Sequence, residues 1–253
     1  MTANKSTAKS SDSGAAHSGA AVAPPTRIGG AELLVLGLFF LSGASALIYE
    51  VVWSRLLGFI FGGTAFAIAT VLAAYMAGLA LGSWYFGRRI DRSGHPLTLY
   101  ALLEGGIALW AVVLPFVLGG LNQVYGVLYR QMHPDAYTLS LIRFAFSFLA
   151  LLVPTTLMGG TLPVLAKLLE RSGGRIGVKT GLLYGINTVG AVVGTAVAGF
   201  WLIPAFGMRI STGIAIAFNL AVTGLAFAIQ RAMLIPAFGM RISTGIAIAF
   251  NLA

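Results

Sequence analysis

The stretch LLVLGLFFLSGASALIYEVVWSRLLG, Leu33 to Gly58, indicates the fold class of this chain. A bilayer core of about 30 Å is crossed by about 20 apolar residues in a helix, and this run is long enough. It carries Glu50 toward its far end and Arg55 just beyond. Because an ionisable side chain inside lipid costs several kcal/mol unless it has a partner, we expect neighbouring helices to bury this one and shelter its glutamate.

The composition extends this prediction to the whole chain. Charged residues make up 9% of the 253 residues, whereas soluble domains carry about 25%. We therefore predict an all-α, polytopic membrane helix bundle. The chain has no Cys, which excludes disulfides, thiolate metal sites and cysteine nucleophiles.

The formal net charge of +9 is distributed as in a membrane protein and not as in a nucleic-acid-binding protein. Most basic residues fall in three groups that flank apolar spans: Lys5, Lys9 and Arg27; Arg88, Arg89 and Arg92; Lys167, Arg171, Arg175 and Lys179. This is the positive-inside pattern. None of the groups comes with the stacking aromatics that single-strand binding uses, so we expect no nucleic-acid partner.

Six apolar stretches predict six transmembrane helices, at about 33–53, 64–86, 97–118, 137–169, 180–206 and 210–229. A polar outer loop is expected over 119–136. Pro154 and Pro163 predict a kinked or interrupted fourth helix, because each proline removes a helical hydrogen bond. With both termini cytoplasmic, eleven of the sixteen Lys and Arg residues lie on the inner side, which is consistent with multi-pass insertion in the inner (plasma) membrane.

The ends of the chain differ in character from this six-span domain, 31–231. Residues 1–30 are rich in Ala, Ser, Gly and Thr, which predicts a disordered cytoplasmic tail. Residues 232–253 contain LIPAFGMRISTGIAIAFNLA, a verbatim copy of Leu202–Ala221. Counted from Ile242, this copy is too short to span a bilayer alone, and we expect it to be poorly packed and without function.

Aromatic and small residues suggest how the helices sit and pack. Tyr49 and Trp53 are expected at the outer interface as aromatic anchors. Gly181 and Gly185, and then Gly190 and Gly194, are each four residues apart. Such stripes let two helix backbones approach closely, either within one chain or between two copies.

Glu50 and Arg143 are the first candidate site residues, since they lie at similar predicted depth and carry opposite charges. We expect Glu50 to pair with Arg143, or with Arg55 at the rim. The pair could be an ion pair that fixes helix packing. Alternatively, Glu50 could belong to a cation or proton site, because intramembrane acids commonly mark such pathways.

A second candidate group centres on Glu104 in the cytoplasmic half of span three. Tyr184 and Asn187 of span five lie at comparable depth, which predicts a polar cluster facing the bundle interior and suited to a cationic amine. The alternative is that Glu104 extends to the interface toward Arg88 or Arg89. No grouping of residues indicates a catalytic site, a metal site or a cofactor.

Four stretches together carry a family resemblance: SGASALIYEVVWSRLLG (42–58), AAYMAGLALGSW (73–84), PTTLMGGTLPVLAK (154–167) and GLLYGINTVGAVVGTAVAGF (181–200). They resemble the membrane module of fused spermidine-synthase-like proteins, in which a multi-span domain precedes a soluble aminopropyltransferase-like domain. The resemblance implies six helices, broadly like half of a major facilitator transporter.

No stretch of this chain resembles the soluble catalytic domain, so the family's catalytic residues have no positions here. The resemblance implies a non-enzymatic membrane module that anchors or assists polyamine-related chemistry, with a soluble aminopropyltransferase-like partner. The alternatives are a half-size homodimeric transporter of small cationic metabolites and an inert truncated fragment.

Overall fold

The structure, a computed structural model, describes residues 30–61, 64–92, 94–132, 135–171 and 176–250, with side chains described only as far as Ala232. Every described element is helical. In chain order they are α1 (Gly30–Phe61), α2 (Thr64–Ile90), α3 (Pro96–Met132), α4 (Ala136–Arg171), α5 (Ile176–Val197), a π-helical turn (Ala198–Leu202) and α6 (Ile203–Phe250). The predicted all-α class is confirmed for the described residues.

Five helical stretches among these residues are long and apolar enough to cross a membrane: Glu32–Phe61, Ala65–Ile90, Pro96–Gln131, Tyr137–Arg171 and Ile176–Ala232. The last one has 57 residues. At 1.5 Å per residue a straight helix of that length would measure about 85 Å, far more than a bilayer core. Its two halves pack differently against α1.

The first half, α5, runs parallel to α1. Lys179 Nζ lies 2.5 Å from Glu32 Oε1 near the start of both helices. Further along, Gly194 faces the Ala44 carbonyl so closely that a Cβ on Gly194 would overlap it. The contact that lies later in α1 also lies later in α5, so the two helices run in the same direction.

The second half, α6, runs in the opposite direction. Val222 shares a buried cluster with Val35 near the start of α1, whereas Ala215 shares another with Ile48 farther along. The chain therefore turns back between α5 and this part of α6. Gly207 at the turn has a φ of 78°, in the left-handed region that glycine adopts without a Cβ penalty.

The packing of α2 against α4 depends on small residues. A Cβ added at Gly78 would overlap the Thr155 side chain, and one added at Gly82 would overlap the Thr156 carbonyl. Thr155 Oγ1 also donates a 3.1 Å hydrogen bond to the Ala74 carbonyl across the contact. Glycine at these two positions therefore lets the two helix backbones approach closely.

The predicted outer loop over 119–136 is wrong, because α3 continues to Met132. Leu121 packs against the buried core cluster, and Arg130 Nε donates a 3.0 Å hydrogen bond to the Gly126 carbonyl one turn earlier. These local and tertiary contacts favour helix despite the polar composition. The chain then enters α4 at Asp135, where the carboxylate accepts hydrogen bonds from the backbone of the first turn.

Of the kink or interruption predicted for the fourth span, the interruption is not formed, since α4 is one helix through Pro154 and Pro163. Pro154 has no N–H to offer the Ala150 carbonyl four residues earlier. That carbonyl accepts a 3.0 Å hydrogen bond from Trp110 Nε1 of α3 instead. A partner on a neighbouring helix thus satisfies the freed backbone group, as membrane helices with proline require.

Tyr49 and Trp53 are core residues rather than interfacial anchors, so that prediction is wrong. Their exposed fractions are 0% and 2%, and the two rings stack with centroids 5.2 Å apart. Helices α2, α3 and α6 surround this part of α1. The prediction of a disordered tail over 1–30 lies outside the described residues except at Gly30, where α1 begins. The packing predicted for the 234–253 copy lies outside the residues whose side chains are described.

Candidate intramembrane site

Glu104 of α3 lies at the centre of the bundle, with an exposed fraction of 0%. Ser42 Oγ of α1 donates a 2.5 Å hydrogen bond to its Oε1. Asn219 Nδ2 of α6 donates a 2.5 Å hydrogen bond to its Oε2. Both carboxylate oxygens are therefore satisfied by donors from different helices, and the carboxylate links α1, α3 and α6.

The local sequence of α1 explains how it reaches this carboxylate. Ser42, Ser45 and Tyr49 follow helical spacing and share one face of the helix. Ser45 Oγ donates to the Ser42 carbonyl at 2.9 Å, and the Tyr49 hydroxyl donates to Asn219 Oδ1 at 3.0 Å. Small hydroxyl side chains allow α3 to approach, while the longer tyrosine reaches α6.

A cavity of about 280 Å³ adjoins this cluster. Residues from each of the helices α1 to α6 line it, including Ser42, Ser45, Glu50, Tyr75, Ile107, Thr161, Asn187 and Asn219. Glu50 is half-buried. Tyr75 is buried and its hydroxyl donates a 2.7 Å hydrogen bond to the Ala46 carbonyl.

The cavity wall is acidic in composition. Its lining contains the Glu50 carboxylate together with hydroxyl and amide groups, and no Lys, Arg or His. Within the described part of the chain Glu50 forms no ion pair. The Glu104 carboxylate lies behind the same wall, bonded to Ser42 and Asn219, which both line the cavity. Such a wall suits a ligand that carries positive charge and hydrogen-bond donors.

The sequence grouped Glu104 with Tyr184 and Asn187, and the structure divides this group. Asn187 lines the same cavity as Asn219 and Ser42. Tyr184 has an exposed fraction of 62% on the outside of α5, so it does not join the cluster. Glu104 does not extend to Arg88 or Arg89, because it is buried among its own hydrogen-bond partners.

The predicted ion pair between Glu50 and Arg143 is not formed. The Arg143 guanidinium lies 4.0 Å from the centroid of the Tyr125 ring, in a small cleft with Ile60 and Ser147. The extension of α3 to Met132 supplies this ring, since Tyr125 stands in the stretch expected to be a loop. Arg55 is exposed and forms no ion pair with Glu50 among the described residues either.

Sequence reasoning missed Ser42, Tyr49 and Asn219 as members of the site. Asn219 had a usable signal, because it is the lone amide within the apolar run Ile214–Leu220, and buried polar side chains in membrane helices bond across helices. Tyr49 was assigned to the interface. Nothing in the sequence distinguishes the serine pair from ordinary small residues at a helix contact.

The described ranges contain no group of three His, Asp or Glu side chains that could hold a metal ion. Comparisons with protein-family models, curated proteins and solved structures found no match to this chain. The function is therefore inferred from the chemistry of the site.

Proposed function

We propose that this chain is a membrane bundle that binds a small organic cation in the cavity lined by Glu50. One observation carries the proposal: a half-buried carboxylate without an ion-pair partner among the described residues lines a cavity inside the bundle. A charge at membrane depth is costly and typically marks a ligand or ion site. A bound cation would supply the missing partner.

The other lining groups support a cation with N–H donors. Hydroxyl oxygens of Ser45 and Thr161 and the Asn187 carbonyl oxygen can accept hydrogen bonds from an ammonium group. The buried Tyr75 ring can add a cation–π contact. Glu104 contributes negative potential through the wall, and electrostatic attraction is stronger in the low dielectric of a bundle interior than in water.

The proposed topology has six spans, with both termini cytoplasmic in the inner membrane. The opposite directions of α5 and α6 along α1 support counting the 57-residue stretch as two crossings. The basic residues at the ends of α2 and α4 support the orientation. In such a bundle the cavity would lie within the membrane, as the substrate sites of transporters do.

The family resemblance suggests the class of cation. A module similar to that of spermidine-synthase-like proteins would take an aliphatic polyamine, and it would anchor or assist a soluble aminopropyltransferase-like partner. The cavity volume of about 280 Å³ leaves room for a short diamine with its solvation. In this scheme the chain binds the amine and the partner performs the chemistry.

A second candidate is a half-size transporter of small cations that works as a homodimer. It is favoured by Gly181 and Gly185, which have open space beside them, whereas Gly190 and Gly194 contact α1. The first glycine pair therefore remains available to a second copy. Uptake of radiolabelled putrescine into vesicles, lost in a Glu104→Gln variant that inserts normally, would favour this candidate over a binding module.

The test of the binding site is equilibrium binding of radiolabelled putrescine and spermidine to the purified full chain in mild detergent. We expect Glu50→Gln to weaken binding at least about tenfold, which corresponds to about 1.4 kcal/mol. Glu170→Gln is the matched control, because it removes the same charge from an exposed residue remote from the cavity lining.

Two results would overturn the proposal. One is the absence of saturable amine binding to the wild-type chain. The other is equal weakening by the Glu50 and Glu170 substitutions, which would mean that the amine responds to overall charge and not to the cavity.

A further inference from the structure

A second cavity, open and about 630 Å³ in volume, lies at the end of α2, and its lining shares no residue with that of the amine cavity. Its lining is Trp84, Tyr85, Arg88, Arg89 and Arg92. All five side chains are exposed. The cavity thus combines three guanidinium groups with two amphipathic aromatic rings at one end of an apolar span. The expectation that no basic group comes with aromatic side chains is wrong for this one.

The spacing of these residues along α2 brings several of their side chains together. Trp84 and Arg88 are four positions apart and share one face, and the Arg88 guanidinium lies 4.6 Å from the centroid of the Trp84 ring. Arg92 follows four positions later, just after the helix ends at Ile90. The C-terminal end of a helix carries partial negative charge, which stabilises nearby arginines.

The nearby acids are already paired. Asp91 Oδ1 lies 3.3 Å from Lys167 Nζ, and the same lysine is 2.9 Å from Glu170 Oε2. Within the described ranges, Arg88, Arg89 and Arg92 form no ion pair. The cluster therefore presents positive charge for which these ranges offer no counter-ion.

The surface that leads to the cavity is apolar. Along α2 the side chains of Phe66 and Leu81, which lie on the same side of the helix as Trp84, have exposed fractions of 64% and 46%. They belong to the candidate span Ala65–Ile90, so acyl chains would cover them. A ligand that fits both parts has an anionic head and apolar tails.

We propose that this cavity binds the head group of an anionic phospholipid, with the phosphate between Arg88 and Arg92 and the acyl chains along the exposed face of α2. Trp84 lies at the glycerol level, where tryptophan is enriched in membrane proteins. Basic pockets at the cytoplasmic ends of membrane helices bind such head groups. This site is separate from the amine cavity, and the two proposals stand or fall independently.

The experiment measures binding of phosphatidylglycerol and phosphatidylcholine to the purified full chain by native mass spectrometry. The test variant is Arg88→Gln with Arg92→Gln. The control is Arg209→Gln with Arg231→Gln, which removes two charges from exposed arginines elsewhere. We expect selective binding of phosphatidylglycerol, weakened about 30-fold in the test variant, as about 1 kcal/mol for each basic residue near a membrane surface implies.

A charge-preserving variant keeps the test decisive if the glutamine variant misfolds. Arg88→Lys with Arg92→Lys retains the charge but loses the planar fork that binds phosphate in a bidentate way, so we expect an intermediate affinity. Equal binding of the two lipids would overturn the proposal, and so would equal losses in the test and control variants. Full competition by inorganic phosphate at equal concentration would overturn the assignment to a lipid.

Discussion

The side-chain amide of Asn219 donates a 2.5 Å hydrogen bond to the buried carboxylate of Glu104, 115 positions earlier in the chain. The same asparagine accepts a hydrogen bond from the Tyr49 hydroxyl through its Oδ1. One amide thus serves a carboxylate on α3 and a phenol on α1. Because each buried polar group here has a matched donor or acceptor, the arrangement specifies how three helices meet.

The first prediction concerns this matching. Asn219→Asp preserves the acceptor for Tyr49 but replaces the donor toward Glu104 with a second carboxylate. We expect a loss of about 3–5 kcal/mol in the free energy of unfolding, the usual cost of an uncompensated buried charge. The measurement is unfolding of the purified chain in mixed detergent micelles, followed by circular dichroism.

A compensating variant provides the control. Glu104→Gln in the Asn219→Asp background exchanges donor and acceptor, because the new amide on α3 can donate to the new carboxylate on α6. The hydroxyls of Ser42 and Tyr49 keep their acceptors in this variant. We expect the double variant to recover most of the lost stability. If it is no more stable than Asn219→Asp alone, the direct hydrogen bond between the two side chains is not what stabilises the cluster.

The second prediction concerns the contact between α5 and α1. A Cβ at Gly190 would overlap the Phe40 carbonyl, whereas one at Gly185 meets nothing within 4 Å. We expect Gly190→Ala to destabilise the fold by about 1–3 kcal/mol through overpacking. Gly185→Ala on the same helix should be neutral or gain about 0.5–1 kcal/mol from helix propensity. Similar unfolding midpoints for the two variants would refute the close contact.

The third prediction concerns the link between Trp110 and Pro154. Trp110→Phe removes the indole donor from the Ala150 carbonyl and leaves a buried acceptor unsatisfied, at an expected cost of about 1–3 kcal/mol. In a Pro154→Ala background the new backbone N–H can reach this carbonyl, so the cost of Trp110→Phe should fall. A double-mutant cycle of unfolding free energies measures the difference.

Trp201→Phe serves as the control for this cycle, because Trp201 has an exposed fraction of 60% and should show no coupling to Pro154. Additive effects of Trp110→Phe and Pro154→Ala would show that the tryptophan does not replace the missing helical hydrogen bond.

The fourth prediction concerns pH at the start of α4. Hydrogen bonds from the Thr138 hydroxyl and from the backbone N–H groups of Thr138 and Tyr137 lower the pKa of the Asp135 carboxyl. A lowered folded-state pKa means that the stabilisation is present above the ordinary aspartate pKa and is lost as the pH falls through the folded value. We therefore expect the wild-type thermal midpoint to approach that of Asp135→Ala as the pH falls below about 4.

Asp135→Asn separates the charge from the cap, because asparagine also caps helices well but does not titrate. Its thermal midpoint relative to Asp135→Ala should be independent of pH. A wild-type advantage over Asp135→Ala that stays constant down to about pH 2, below the ordinary aspartate range, would contradict the role of the ionised cap.

The long apolar helices could be predicted because their signal is local. Runs such as Leu33 to Gly58 are apolar over a bilayer's thickness, and a backbone in lipid must form its own hydrogen bonds. Helix ends were predicted less well. In the extension of α3 to Met132, Leu121 packs against the core cluster and Tyr125 stacks on Arg143. No local sequence pattern indicates these neighbours.

The partners of the buried charges could not be predicted from depth along the helices. The predicted depth along the helices favours a pair between Glu50 and Arg143. Depth does not indicate which face of a helix a side chain occupies or which helices are neighbours. Arg143 instead stacks on Tyr125, and Glu50 faces the cavity with Tyr75 and Asn187. Glu104 does lie in a buried polar cluster, but its donors Ser42 and Asn219 come from distant segments.

Composition and local pattern are enough to predict that this chain forms apolar helices suited to a bilayer and that a few acidic side chains within them need partners. Which partners those are depends on helix packing, because hydrogen bonds between Glu104, Ser42 and Asn219 require a particular direction and rotation of three packed helices. The hydrophobicity of a helix is a property of one segment of the sequence, whereas the geometry of a polar site depends on how several segments pack together.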